Sequence, residues 1–217
     1  MATRRIVVLG LGRFGSALAT RLQARGVDVL AVDRSPAIVQ ALADDLFNVA
    51  QADTTDPDPM RQLGVQDCDA AVVAMADVQA SLLTVTVLRE LGVAEIWAKA
   101  GTPQHARVLK RLGAHHVVQP EQDTGARLSH MLVAGHMEDY LEFDDDFAFA
   151  KVAVPRDAVG LPLGESTIRS RYGITVVAVK RLGEAFEYAT ERTVPAAGDT
   201  LIVSGKTSQI ERFAQAT

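Results

Sequence analysis

The sequence predicts an α/β fold: a doubly wound parallel sheet followed by a small C-terminal α+β domain. Three observations predict it. Short β-branched runs alternate with helical patterns as far as Gln119. The first run, residues 6–9, leads into Gly10-x-Gly12-x-x-Gly15 and a helical pattern over residues 13–25. A second apolar run, residues 29–32, then ends in Asp33, eighteen residues beyond Gly15. That is the layout of a dinucleotide-binding first βαβ unit, hence a Rossmann-like fold. From Phe147 onward the pattern changes to strands joined by tight turns.

Each element follows from its own residues. Residues 36–46 read as a helix, with Ser35 as N-cap and Pro36 in the first turn. Residues 47–52 read as a third strand and 56–63 as a short helix stopped at Gly64. The unbroken apolar run 70–75 suits a buried parallel strand. A helix over 78–91 closes at Gly92, a strand covers 95–100, a helix over 103–112 closes at Gly113, and a sixth strand covers 115–119. Residues 121–140 read as a longer helix whose stripe of Leu128, Met131, Leu132 and Gly135 suits a partner chain or second domain. Residues 141–146 read as a linker. Strands follow at 147–154, 174–181 and 200–205, with helical segments at 163–171 and 207–215 and a hairpin through Leu182-Gly183-Glu184 to Tyr188. The expected domains are therefore 1–140 and 141–217. A module of roughly 70 residues is marginal alone and gains by pairing.

Composition narrows the function. The chain has 217 residues, of which 48% are hydrophobic and 23% charged, as in ordinary soluble domains. A net charge of −5 without a block of Lys or Arg argues against a nucleic-acid partner. No apolar run approaches the roughly 18 residues of a bilayer span. Residues 1–5 lead straight into the first strand and leave no room for a signal peptide. The single Cys68 excludes an internal disulfide. A cytoplasmic chain is expected.

The candidate site follows from the first βαβ unit. Gly10 permits a tight turn, Gly12 lets the backbone approach a pyrophosphate, and Gly15 lets helix and strand pack closely. Free amides at the helix start face the phosphates. Arg13 can reach phosphate oxygens in a bidentate way, or stand as a solvated helix-start arginine. Asp33 can accept ribose hydroxyls or cap the following helix. Arg34 could meet a 2′-phosphate, but Asp33 would repel that group, which favours an unphosphorylated ribose. Asp53 ends the third strand, where ribose or adenine contacts lie, or else caps a helix. Lys99 ends the fifth strand as a phosphate contact or an exposed lysine. Glu121 could equally be a first-turn helix acid. The five histidines form no metal-binding spacing, and His115 and His116 point to opposite faces of their strand. Cys68 lies outside any nucleophile motif.

Both halves together resemble regulator-of-potassium-conductance (RCK) proteins, the cytosolic subunits of Trk and Ktr potassium-uptake systems. The N-terminal resemblance rests on residues 8–15, Val32-Asp33, Gln51-Ala52-Asp53, Val73-Ala74-Met75, Ile96-Trp97-Ala98-Lys99-Ala100 and Gln119-Pro120-Glu121. The C-terminal one rests on Leu163, Ser166, Ile168-Arg169, Tyr172-Gly173-Ile174, residues 177–180 and the closing Pro195-x-x-Gly198-Asp199-x-Leu201-x-Val203-x-Gly205. Arg13-Phe14 and the single-copy domain order look more like Ktr than Trk. The resemblance implies an ATP-, ADP- or NAD(H)-binding cleft made by Gly10, Gly12, Arg13, Phe14, Gly15, Asp33, Arg34, Asp53, Thr54, Ala74, Lys99 and Glu121. Arg13 would reach the terminal phosphate on a neighbouring subunit, and Glu121 would help bind a cation such as Mg2+. It implies dimers assembling into an octameric ring under a membrane potassium-translocating subunit, with ATP and ADP favouring different ring shapes. In some members the C-terminal domain binds cyclic di-AMP, here near Arg169, Tyr172 and Ile174. Thr175 stands where the family often has Asn.

The implied protein is therefore not an enzyme but a nucleotide-gated regulator. Two alternatives share its first domain. An NAD-dependent oxidoreductase would need a positioned acid or base, and the chain offers neither a Tyr-x-x-x-Lys nor a His–Asp pair near the sheet edge. A redox-sensing regulator would use NADH in place of ATP.

Overall fold

A computed structural model describes residues 4–144 and 146–216. The chain divides into two compact units, 1–121 and 122–217, each described by itself. The first begins with β1 (Arg5–Leu9), α1 (Arg13–Gln23), β2 (Asp28–Asp33), α2 (Pro36–Leu42), β3 (Val49–Gln51) and α3 (Pro57–Gln62). It continues through a 3-10 turn (Val65–Asp67), β4 (Ala70–Val73), α4 (Val78–Glu90), β5 (Ile96–Lys99), α5 (Pro103–Leu112) and β6 (His116–Val118). The six strands run parallel in the order β3-β2-β1-β4-β5-β6.

Neighbouring residues on these strands are buried on opposite faces. Val7 and Leu9 join Met60, Val85, Leu88 and Leu109 from α3, α4 and α5. Val8, Val29 and Ala31 join Ala19, Leu18 and Leu22 of α1 and Ile38 and Leu42 of α2. Helices cover both sides, so only strand ends and loops are free to meet a ligand. The strand order reverses between β1 and β4, whose carboxyl ends are tied by the Ala74 amide donating to the Leu9 carbonyl at 2.8 Å.

The helix α6 (Pro120–Ala134) is followed by β7 (Met137–Asp144), β8 (Phe147–Ala153), a 3-10 turn (Arg156–Ala158), α7 (Ile168–Tyr172), β9 (Thr175–Lys180), β10 (Phe186–Tyr188), β11 (Thr200–Gly205) and α8 (Thr207–Gln215). The second sheet is antiparallel, in the order β10-β9-β11-β8-β7. One face carries the core. Ala148, Ala150, Val152, Leu201 and Val203 pack with Ile168 and Tyr172 of α7 and with Ile210, Phe213 and Ala214 of α8.

The sequence reading is corrected in four places. The long helix ends at Ala134, not near Tyr140, because Gly135 takes a left-handed conformation (φ 74°). Residues 141–144, expected as a linker, belong to β7; Asp145 lies outside the described residues. A register shift between Met137 and Asp139 breaks the two-residue alternation that would have marked this strand. The helix expected from Leu163 begins only at Ile168, because the Leu163 and Gly164 amides donate to the Thr193 and Glu191 carbonyls. Finally, α2 ends at Leu42, ahead of Asp44 and Asp45, whose charges oppose the negative end of a helix. The contact division at 121/122, ahead of the expected 140/141, reflects Met131 and Ala134 of α6 and Met137 and Tyr140 of β7, which all pack into the second core.

Candidate functional site

The carboxyl ends of the parallel strands open onto a cleft of about 1120 Å3. Eleven of the twelve predicted contacts line it: Gly10, Gly12, Arg13, Phe14, Asp33, Arg34, Asp53, Thr54, Ala74, Lys99 and Glu121. The exception is Gly15, which sits beneath the loop. A Cβ there would stand 1.9 Å from the Gly10 carbonyl oxygen, so the turn of the loop and the start of α1 can coexist only with glycine. Gly10 has φ 93°, and a Cβ on it would press on Met75 and on the Ala74 backbone.

The loop is held from one side. Asp33 Oδ2 accepts the Leu11 amide at 2.7 Å and Oδ1 accepts the Ser35 amide at 2.8 Å. Asp33 therefore ties the glycine loop to the end of β2 and does not cap α2. Its oxygens keep further lone pairs for a ribose hydroxyl. The N-cap of α1 is Gly12, which has no side chain to satisfy the first-turn amides. Helix geometry leaves those amides facing the cleft mouth with the positive end of the helix dipole.

Charges are distributed unevenly around the cleft. Arg13 is exposed and forms no ion pair among the described residues. Lys99 is nearly enclosed; its Nζ stands 2.5 Å from Glu121 Oε1 and 5.9 Å from the centre of the Phe14 ring. The Lys99 hydrogen bond, then a hydrogen bond from Glu121's own backbone amide, hold the Glu121 carboxyl below the ordinary carboxylate range. Asp53 is also lowered, by the hydroxyl and then the amide of Thr55, which donate to Oδ1 at 2.7 and 3.0 Å. It closes a turn; the cap of α3 is Asp56, which accepts the Asp58 amide. Arg34 is exposed, and its carbonyl accepts the Gln51 side chain.

Sequence reasoning missed Ser35, Ile38, Thr55, Met75, Asp77 and Ala80, which also line the cleft. Their signal was position: each follows the carboxyl end of β2, β3 or β4. Among the described residues no three His, Cys, Asp or Glu side chains gather as a metal-binding set, and Glu121 is engaged by Lys99. A Mg2+ or Ca2+ ion takes six or more oxygens, and the described residues alone do not gather such a set.

The remaining candidates lie elsewhere. His105 is buried, and that burial lowers its pKa. His115 Nδ1 accepts the Ile96 amide, His116 stacks on Trp97, and His130 Nδ1 meets Glu211 Oε1 at 2.7 Å. Cys68 is buried, which raises its thiol pKa. In the second unit a pocket of about 620 Å3 is lined by Arg169, Ile174 and Thr175 among others. Tyr172, expected there, instead packs edge-on against Phe213 in the core, ring centres 5.1 Å apart.

Family comparisons agree with this architecture. The TrkA-N domain model matches residues 6–120 and the TrkA-C domain model matches residues 149–216. The chain is 35% identical to Ktr system potassium uptake protein C of Bacillus subtilis (strain 168), covering 97% of this chain and 96% of that protein. It is 31% identical to Ktr system potassium uptake protein A of Vibrio alginolyticus, covering 93% and 92%. Among solved structures, the GsuK RCK domain superposes with TM-score 0.68 at 21% identity, over 98% of this chain and 47% of that one, so this chain spans under half of it. GsuK bound to ADP matches 59% of this chain and 34% of its own at 26% identity and TM-score 0.52. By both domain models and by near full-length similarity, the chain belongs to the TrkA-N/TrkA-C family that includes the Ktr system potassium uptake proteins.

Proposed function

We propose that this chain is a non-enzymatic, nucleotide-gated regulatory subunit of a Ktr-type potassium-uptake system, binding ATP, ADP and NAD(H) in the cleft of the first unit. The observation that carries the reading is the combination at the glycine loop: uncapped α1 amides, an unpaired Arg13, and Asp33 and Asp53 at the neighbouring strand ends. Phosphates belong at the amides, and the ribose at the two acids. ADP in the related GsuK structure supports the same ligand class.

Regulation requires that ATP and ADP favour different shapes of an assembly. A hundredfold preference supplies roughly 2.7 kcal/mol per site, and several sites in a ring multiply that bias. Leu128, Leu132 and Val133 of α6 are 48%, 81% and 65% exposed, which supports pairing with a second copy, and dimers would in turn assemble into an octameric ring. Arg13 would then sense the terminal phosphate of a nucleotide on the neighbouring subunit. Among the described residues no helix is long and apolar enough to cross a membrane, so membrane attachment would come through the potassium-translocating partner. Mg2+ would rely on nucleotide oxygens beyond Glu121. Cyclic di-AMP would take the pocket at Arg169 and Ile174.

The test is the melting temperature of the purified protein with ATP, ADP and NADH, repeated for Arg13→Ala. Stabilisation by ATP and ADP, with the ATP advantage lost in Arg13→Ala, is expected. Stabilisation by NADH alone would overturn the reading in favour of a redox sensor. Identical scattering profiles of the ATP- and ADP-bound assemblies would remove gating by shape.

A further inference from the structure

We propose that Thr84, a residue outside the cleft, is a positioning residue for the nucleoside half of the ligand, acting through Thr54. The inference rests on the nucleotide reading above. Thr54 follows β3 and lines the cleft wall, yet only 5% of it is exposed. Thr84 lies on α4, is fully buried and does not line the cleft. Their hydroxyl oxygens stand 2.8 Å apart. The other partner of both is the Met75 sulfur, 4.0 Å from Thr54 Oγ1 and 3.8 Å from Thr84 Oγ1. Met75 also forms part of the cleft wall, its Cγ 3.1 Å from where a Cβ on Gly10 would stand.

This is a small polar network in a buried wall. Two hydroxyls carry two protons, and one hydrogen bond joins them. A thioether is a weak acceptor. When Thr84 donates to Thr54, the Thr54 proton is held only by the sulfur and is available to a stronger acceptor in the cleft. Thr54 is next in sequence to Asp53, which the nucleotide reading places at the ribose, and both line the cleft. The acceptor is therefore a ribose oxygen or a ring nitrogen of the base. Thr84 sets the direction of that donor. Without it, Thr54 turns its proton elsewhere or leaves its oxygen unsatisfied.

The experiment is calorimetric titration of the full chain, well below its melting temperature, with ADP, NADH and inorganic pyrophosphate. The variants are Thr84→Val, nearly isosteric, and Thr84→Ser, which keeps the hydroxyl. Thr84→Val is expected to weaken ADP and NADH by the same factor, about tenfold or about 1.4 kcal/mol, and to leave pyrophosphate unchanged. Thr84→Ser is expected to bind like the wild type. A Thr84→Val protein that melts lower but binds ADP unchanged would overturn the proposal, since the hydroxyl would then be structural only. Should Thr84→Val fail to fold, Thr84→Ala is read in its place; the same selective loss supports the proposal and unchanged ADP binding overturns it. A wild type that binds none of the three ligands overturns the nucleotide reading itself, a result distinct from either variant outcome.

Discussion

The two sheets bury their strands in different ways. In β1 and β2 nearly every residue is buried, while β8 and β11 alternate buried and half-buried residues. Helices on both faces explain the first pattern, and helices on one face the second. Each pattern limits where its unit can meet a ligand or partner. The parallel sheet has no free face, so its chemistry collects at strand ends, where the cleft is. The antiparallel sheet leaves Leu141, Phe143 and Phe147 of the β7–β8 hairpin exposed. In its second pocket, too, Arg169 and Thr175 are exposed.

The largest expected effect contrasts two helical glycines. Gly15→Ala places a Cβ 1.9 Å from a backbone oxygen, so the glycine loop must shift. A loss of about 3 kcal/mol or more is expected, followed by urea denaturation with the fluorescence of Trp97 in the first unit. Gly125→Ala in α6 meets nothing within 4 Å. It should stabilise the second unit by about 0.5–1 kcal/mol, followed by the absorbance of Tyr140, Tyr172 and Tyr188. If both changes act alike, the close approach under the loop is not what selects glycine at 15.

A second pair of substitutions probes the burial patterns directly. Val7→Asn and Val8→Asn bury an amide on opposite faces of β1, and both should cost about 3 kcal/mol. In β11 the same change at Val203 should be as severe, while at half-buried Ile202 it should cost about 1 kcal/mol. Equal costs at Ile202 and Val203 would mean that the second sheet is covered on both faces.

The smallest effect concerns pH. Burial holds the His105 imidazole neutral, so its folded pKa lies below its unfolded value of about 6.5. Between the two values the unfolded chain binds more protons, and stability therefore rises with pH. Stability of the first unit should fall as pH drops below about 6.5, and His105→Gln should flatten that slope in thermal melts from pH 5 to 7. An unchanged slope would assign the dependence to another group.

Much of this was legible because local chemistry and global fold agree in the first unit. Gly92 and Gly113 closed their helices as expected, with φ 76° and 101°, and α5 and α8 have the predicted bounds. The segment from Gly135 to Asp144 was illegible for the opposite reason. Its glycine fitted a helical stripe as well as a helix end, and a register shift erased the strand alternation. Motif position placed Tyr172 with Arg169, and its ring packs edge-on beside Phe213 in the core.

Local residue pattern suffices for the order of elements in the first unit, the glycine loop and the acids at the ends of its strands. Spacing and backbone chirality leave few alternatives for a βαβ chain. What each charge faces depends on the folded chain. Lys99 and Glu121 lie twenty-two residues apart and meet at the cleft, while Arg13 remains unpaired. Thr54 and Thr84 share a hydrogen bond across thirty residues. Such pairings depend on which strand ends the sheet order brings together, and no local pattern encodes a distance between side chains so far apart along the chain.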